Sequence, residues 1–190
     1  MIDVIRTGYA KSASTFLQNA FTRHPSIEML ESRPIERPLV FADDNVFDTA
    51  LRRRPSPDGQ WPDMVYLLSD EGLCGWGCFF NYARIARRLA RTFGDARILI
   101  VVREQAGFLE SLYRHELLFG YGFSPERFIR SYCAHRNVFR GLTYDVMLAE
   151  YRDLFENFHV ELMERSVGPR ARAIPLVPPL GPPCAACQGV

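Results

Sequence analysis

The sequence predicts an α/β domain in which a parallel β-sheet is flanked by helices on both faces, a three-layer arrangement. The clearest strand is the unbroken apolar run RILIVV at Arg97–Val102, which is typical of a strand buried on both faces of a parallel sheet. The preceding residues 79–93 place apolar side chains at helical spacing opposite a row of arginines, which predicts an amphipathic helix. Strand-like and helix-like segments alternate along the chain, and parallel strands joined by right-handed crossovers produce that order.

The remaining elements are predicted from the spacing of apolar residues that is typical of strands and of helices. Three further segments have strand character: residues 2–6, 64–69 and 158–163. Four more have helical spacing: residues 14–23, 107–119, 125–134 and 144–155. Residues 31–63 contain most of the mid-chain prolines, so they are predicted to be loop-rich, with one short helix at 44–53. Ligands bind beyond the carboxyl ends of parallel strands, so we expect the loops after Arg6, Ser69 and Val102 to carry the chemistry.

Composition and charge narrow the class of protein. The chain has 190 residues, 47% of them hydrophobic and 13% aromatic, which is enough for one folded domain. Its formal net charge of +1 gives no general reason to expect nucleic acid or an anionic membrane as a partner. A basic cluster on the 79–93 helix is predicted to be a solvated face, with an anion-attracting rim as the alternative. Its members are Arg84, Arg87, Arg88 and Arg91.

The two parts of the chain differ in character. Residues 1–165 are predicted to form the domain, and residues 166–190 a poorly ordered, proline-rich tail. There is no targeting segment and no apolar run of about 20 residues that would span a bilayer, so we expect a cytoplasmic protein. The five cysteines are odd in number and scattered, which argues against a disulfide framework. Cys184 and Cys187 have the spacing of half a zinc site, but no second pair stands near them, and we expect no metal.

A polar loop between the first strand and the first helix has the features of an anion site. It reads GYAKSASTF over residues 8–16. The N-terminus of the following helix offers free backbone N–H groups and a partial positive charge. Gly8 permits a tight turn. Lys11 adds a full positive charge, and hydroxyl donors that can cap the helix come from Ser12, Ser14 and Thr15.

This loop is not a Walker A loop, which needs Gly-Lys-Ser/Thr and an earlier glycine five positions back. Here Ala10 precedes Lys11, and Gly8 is too close. The loop resembles instead the 5′-phosphosulfate loop of the sulfotransferase family, usually Lys-Ser-Gly-Thr-Thr followed by an aromatic residue or leucine. This chain has Lys-Ser-Ala-Ser-Thr-Phe, so Ala13 stands in place of the glycine.

A second set of anion-binding residues lies at a fixed distance from the clearest strand. Arg103 directly follows that strand, and Ser111 lies eight residues later on the predicted helix. The arginine can bind a phosphate group bidentately, and the serine can add a hydroxyl donor. Taken alone, an arginine that bonds a helix carbonyl is an equally good interpretation. The pattern is similar to the 3′-phosphate site of sulfotransferases, Arg-x-Pro-x5-Ser-x-Tyr, with Tyr113 in the last position and Gln105 in place of the proline.

The resemblance covers about residues 1–165 and implies a P-loop-like sulfotransferase fold of the bacterial or carbohydrate type. It implies 3′-phosphoadenosine-5′-phosphosulfate (PAPS) as co-substrate and no metal. The sulfuryl group would pass to a hydroxyl or amine of a carbohydrate, lipid or small-molecule acceptor. The implied PAPS-binding residues are Gly8, Lys11, Ser12, Ala13, Ser14, Thr15, Phe16, Arg103 and Ser111.

The resemblance also suggests catalytic roles. Sulfuryl transfer removes a proton from the acceptor and develops charge on the leaving phosphate. Lys11 is the candidate for stabilising the bridging oxygen. The Ser-x-Glu segment that ends in Glu71, after the second predicted strand, is similar to one found in many bacterial and carbohydrate sulfotransferases, so Glu71 is the candidate base. His115, one turn beyond Ser111, is the alternative base.

Two other functions remain open. A P-loop kinase would need Gly-Lys-Ser/Thr, which is absent, and an acidic magnesium ligand, which Asp70 could imitate. A relative that binds a nucleotide or a protein without catalysis is the second. Sulfotransferases normally continue with further helices and a basic or glycine-containing loop over the nucleotide, whereas this chain becomes proline-rich after Glu164. We therefore expect a C-terminally truncated member, in which PAPS binding is better supported than catalysis.

Overall fold

The computed structural model describes residues 2–8, 12–51, 61, 63–75, 81–134 and 144–166. Three parts of the sequence-based predictions lie outside these residues. They are Lys11, the first residues of the predicted 79–93 helix, and the proline-rich tail from residue 167 onward.

Five parallel strands form one sheet, which confirms the predicted α/β fold. The strands are β1 (Val4–Gly8), β2 (Ile27–Leu30), β3 (Val65–Ser69), β4 (Arg97–Val102) and β5 (Phe158–Leu162). They lie in the order β2–β3–β1–β4–β5, so β1 is central. Because all strands run in the same direction, the carboxyl ends of β3, β1 and β4 meet at one edge. That edge carries the three loops that were expected to hold the chemistry.

Helices cover both faces of this sheet. They are α1 (Ser14–Thr22), α2 (Arg33–Phe41), α3 (Asp44–Leu51), α4 (Tyr82–Phe93), α5 (Gln105–Leu118), α6 (Pro125–Ala134), α7 (Tyr144–Leu154) and α8 (Met163–Ser166), with a short 3₁₀ helix at Gly72–Cys74. On one face, Leu17 and Phe21 of α1 pack against the sheet. The larger core lies on the other face and includes Leu39 of α2, Leu89 of α4 and Phe108 of α5.

The structure has a strand, β2, and a helix, α2, where the sequence predicts neither. Pro34 lies in the first turn of α2, where backbone N–H groups have no acceptor within the helix. The N–H that proline lacks therefore costs no helical hydrogen bond. Pro38 lies inside the helix and does cost a hydrogen bond. The helix nevertheless buries Ile35, Leu39 and Val40. Tertiary packing of this apolar face outweighs the local penalty that led to the prediction of a loop.

The arginines of α4 bond to neighbouring helices. The predicted solvated face is confirmed for Arg84, Arg87 and Arg91, which are exposed, and is wrong for Arg88. Arg88 is buried, and its guanidinium donates hydrogen bonds of 2.8–3.1 Å to the carbonyl oxygens of residues 38, 39 and 42 near the end of α2. It also pairs with Asp44 of α3 at 2.5 Å. The other three bond as follows: Arg84 to the Val40 carbonyl oxygen, Arg87 to Glu150, and Arg91 to Asp48.

Candidate functional site

The carboxyl end of β1 lies two residues further along the chain than predicted, at Gly8. Gly8 is in register with Val101 of β4, and a Cβ atom on Gly8 would lie 2.4 Å from the Val101 carbonyl oxygen. No side chain fits there, so Gly8 serves the close approach of two strands. The predicted tight turn after Gly8 lies outside the described residues. Lys11 follows three residues later, and its role stays a prediction.

The N-terminus of α1 is open, because no described side chain caps it and its first turn contains no acidic residue. The backbone N–H of Leu17 donates to the Ala13 carbonyl oxygen at 3.0 Å. The N–H groups ahead of Leu17 have no acceptor within the helix. The predicted capping by Ser12, Ser14 or Thr15 is therefore wrong. The open helix start can accept an external anion instead.

Phe16 lies beside this helix start and is 52% exposed. The helical spacing of residues 14–23 predicts that Phe16, Leu17, Ala20 and Phe21 share one apolar face. This is wrong for Phe16 and Ala20, which are exposed, whereas the other two are buried. Leu17 and Phe21 are one helical turn apart and fill the contact with the sheet, whereas Phe16 is rotated by about 100° from Leu17. Its ring therefore faces outward at the edge where an anion would bind.

Ala13 takes a left-handed backbone conformation, with φ 57° and ψ 29°, directly before α1. It is the only residue other than glycine with a positive φ in the described part of the chain. A side chain in this conformation costs about 1–2 kcal/mol, whereas glycine adopts it freely. The geometry explains why the motif that this loop resembles has glycine here. The sequence shows that alanine replaces the glycine of the motif, but the conformational cost is visible only in the structure.

Replacing Ala13 with glycine should raise the free energy of unfolding by about 0.5–1 kcal/mol, because relief of the left-handed strain exceeds the added flexibility of the unfolded chain. Urea denaturation measures the change. Ala20, exposed on α1, is the matched control, since glycine there should destabilise the protein by about 1 kcal/mol. Equal destabilisation by both substitutions would contradict the strained conformation.

Several buried polar groups at this edge lack hydrogen-bond partners among the described residues. All three guanidinium nitrogens of Arg6 are unpaired, as are the hydroxyls of Ser12 and Ser69. Arg6 and Ser69 are neighbours in the β1–β3 register. Buried polar groups in folded proteins are almost always paired, so such a group points to a ligand or water that completes it. In the sequence, Arg6 and Ser69 only mark the ends of predicted strands.

Arg103 and Ser111, the second predicted pair, share one side of α5. The Arg103 guanidinium lies against Gly107, since a Cβ atom there would be 3.5 Å from its Nε and Nη2 atoms. Ser111 lies one helical turn beyond Gly107, about 6 Å along the axis. Ser111 is thus on the side of α5 against which the Arg103 guanidinium lies, and a shared ligand of the two residues stays a prediction.

Acidic side chains surround Arg103 as well. Glu104 caps α5 by accepting hydrogen bonds from the backbone N–H groups of Ala106 and Gly107 at 2.8 and 2.7 Å. These bonds hold the pKa of the Glu104 carboxyl below its usual value. The Glu104 carboxylate is thus an anion at the N-terminus of α5, whereas no described side chain caps the N-terminus of α1. Glu164 lies 3.9 Å from Arg103 Nε and accepts the Glu104 N–H at 3.2 Å. Glu164 is far from Arg103 in sequence, and no motif indicated this contact.

The two candidate bases occupy different positions. Glu71 lies two residues after the end of β3 and is partly buried, and its negative charge opposes the lowering of the Arg6 pKa by burial. Asp70 beside it accepts the Gly72 N–H at 2.7 Å, which fixes the turn after β3. His115 packs edge-on against the Phe119 ring, with centroids 4.7 Å apart. It lies two turns beyond Gly107, about 12 Å further along α5.

The other metal-binding and nucleophilic side chains do not form a second functional site within the described residues. No three His, Cys, Asp or Glu side chains of that part of the chain are grouped as a metal site would require. Cys74 is buried, and burial raises the pKa of its thiol to about 12, so it is a poor nucleophile. None of the described helices has the length and apolar character needed to cross a membrane.

Comparison with known proteins gives one kind of match. No protein-family model matches the chain, and no curated protein matches its sequence. Among solved structures, the chain is similar to the sulfotransferase from Alicyclobacillus acidocaldarius, with a TM-score of 0.61 and 18% sequence identity. The match covers 87% of this chain and 74% of that one. The parallel sheet, its flanking helices and this likeness together show that the chain has a sulfotransferase-like fold.

Proposed function

We propose that the chain binds PAPS and transfers its sulfuryl group to a hydroxyl or amine of a small-molecule or glycan acceptor. The observation that carries the proposal is the uncapped α1 N-terminus, next to the unpaired buried hydroxyl of Ser12, at the same edge of the sheet as Arg103. Two anion-accepting places on adjacent strands suit a nucleotide that carries charged groups on both its 3′ and 5′ positions.

The residues present fit the two ends of such a nucleotide. The 5′-phosphosulfate would bind at the α1 N-terminus, with Lys11 and the hydroxyls of Ser12 and Ser14 as donors. The 3′-phosphate would bind Arg103 and Ser111, and would replace Glu164 as the counter-ion of Arg103. β1 and β4 are hydrogen-bonded neighbours, so the two places begin only about 4.8 Å apart at their strand ends.

PAPS supplies a sulfuryl group that is bound to a phosphate oxygen and ready for transfer. In the proposed reaction the acceptor oxygen or nitrogen forms a bond to sulfur while the sulfur–oxygen bond to the phosphate breaks. Glu71 takes the acceptor proton as general base. Lys11 offsets the charge that the leaving phosphate oxygen gains.

Glu71 suits the role of base better than His115. Glu71 is part of the loop after β3, next to the strand whose end leads into α1. His115 lies farther along α5, with its ring held by Phe119. A base must come within hydrogen-bond reach of the acceptor proton, so closeness to the edge of the sheet favours the carboxylate.

A thermal-shift comparison tests the binding step. Adenosine 3′,5′-bisphosphate at about 100 times its Kd should stabilise the protein by about 2.7 kcal/mol, which raises the melting temperature by about 5–10 °C. ATP with magnesium should give a much smaller shift. Arg103→Ala should remove most of the bisphosphate effect. Arg114→Ala is the matched control, because Arg114 is exposed on α5 and pairs with Glu110.

The outcomes separate the competing functions. A shift with ATP but none with the bisphosphate would favour a kinase and contradict the proposal. A bisphosphate shift without any sulfuryl transfer, across a panel of hydroxyl- and amine-bearing acceptors, would indicate a nucleotide-binding protein without catalysis.

A further inference from the structure

Arg6 is the largest fully buried side chain among the described residues, and it lies in the central strand of the sheet. A buried guanidinium normally donates to several acceptors, since it keeps its charge inside a protein. None of the three Arg6 nitrogens has a hydrogen-bond partner in the described part of the chain. An unpaired buried charge is costly, so its presence in the core requires a reason beyond packing.

Arg88 shows what a structural arginine looks like in the same protein. It is also buried, but its Nη1 and Nη2 atoms donate to three carbonyl oxygens and to Asp44. Arg88 therefore ties two helices together. Arg6 holds no such set of acceptors, although it has the same five N–H donors.

The surroundings of Arg6 place its charge near the functional edge. Burial lowers the pKa of Arg6, and the carboxylates that oppose this shift are those of Glu71 and Asp70. Both follow the end of β3. In the register, Arg6 lies beside Ser69, whose buried hydroxyl is also unpaired. The guanidinium is thus at the carboxyl edge of the sheet, where β1 leads into the open start of α1.

We propose that Arg6 is an anion-binding residue of this site, and that its guanidinium donates hydrogen bonds to the 5′-phosphate or sulfuryl oxygens of the bound nucleotide. This inference rests on the proposed function. Part of the recognition of the 5′ end then comes from a residue of β1, in addition to the residues of the loop motif. In the free protein the Arg6 guanidinium has no hydrogen-bond partner among the described residues, and the bound ligand supplies the acceptors.

The proposal predicts opposite effects of one substitution on stability and on binding. Arg6→Met keeps the length of the side chain and removes the buried charge, so the melting temperature of the ligand-free protein should rise by about 2 °C or more. The same variant should bind adenosine 3′,5′-bisphosphate about 10- to 100-fold more weakly, because charge-assisted hydrogen bonds are lost. A structural arginine would lower the melting temperature instead.

Adenosine 3′-phosphate locates the effect, because it lacks the 5′-phosphate. Calorimetric titration should show that Arg6→Met leaves the affinity for adenosine 3′-phosphate unchanged within about twofold. Arg103→Ala, by contrast, should weaken binding of both nucleotides. Equal weakening of both nucleotides by Arg6→Met would overturn the assignment of Arg6 to the 5′ end.

The remaining outcomes also test the role of Arg6. If the wild-type protein binds the bisphosphate and Arg6→Met binds it equally well, the role of Arg6 is overturned while the proposed function stands. If the wild-type protein binds neither nucleotide, both are overturned. Should Arg6→Met fail to fold, Arg6→Lys keeps the charge and provides the second variant. Failure of both to fold would show that Arg6 is structural.

Discussion

Replacing Lys11 with alanine should slow sulfuryl transfer by about 100- to 1,000-fold while leaving the melting temperature unchanged. Lys11 is the only lysine or arginine in the loop between β1 and α1, and charge that develops on a leaving phosphate oxygen needs a fixed partner. Removal of one such electrostatic donor typically costs a factor of this size. The rate is measured as release of adenosine 3′,5′-bisphosphate from PAPS in the presence of acceptor.

Arg114→Ala is the control for this experiment, since it removes a positive charge from an exposed position on α5. It should keep the wild-type rate. The binding of adenosine 3′-phosphate by Lys11→Ala should also be normal, because that nucleotide has no group at the 5′ end. Unchanged turnover of Lys11→Ala would exclude Lys11 from the reaction.

Replacing Arg88 with alanine should lower the free energy of unfolding by about 3 kcal/mol or more. The substitution leaves the carbonyl oxygens near the end of α2 without their donor and removes the contact with Asp44. It also removes the guanidinium that stacks on the Phe47 ring, 4.6 Å from its centroid. Each unsatisfied buried acceptor costs about 1–3 kcal/mol, so the total is a large part of the stability of a domain.

Urea denaturation measures this loss, and Arg91→Ala is the matched control. Arg91 lies one turn away from Arg88 on α4, but it pairs with Asp48 in an exposed position. Exposed ion pairs contribute about 1 kcal/mol or less. If the two substitutions destabilise the protein equally, Arg88 does not brace α2 and α3 in the way that the structure indicates.

Local sequence patterns were sufficient for most of the sheet and for the side of α5 on which Ser111 lies. The apolar run at Arg97–Val102 forms β4 with the predicted bounds, because a strand buried on both faces must be apolar at every position. Ser111 is on the side of α5 that Arg103 contacts because Gly107 and Ser111 are one helical turn apart, and such spacing is a property of any helix. Strand order then places the ends of β3, β1 and β4 side by side.

The same local patterns gave the wrong result where tertiary contacts compete with them. Pro34 and Pro38 indicate a loop, yet α2 forms because its apolar face is buried. Phe16 has helical spacing with the buried residues of α1, yet it is exposed. The sheet contacts only the part of this nine-residue helix that carries Leu17 and Phe21.

For the candidate site, the sequence by itself determined the loop motif, the helix that follows it and the Arg103–Ser111 spacing. Only the tertiary structure decided that α1 has an open N-terminus, that Ala13 is strained and that Glu164 contacts Arg103. It also decided that one buried arginine, Arg88, donates from both Nη atoms to neighbouring helices, whereas another, Arg6, has no hydrogen-bond partner among the described residues. The reason is physical: hydrophobic periodicity acts over neighbouring residues, whereas the pairing of a buried charge depends on groups that are distant in the chain.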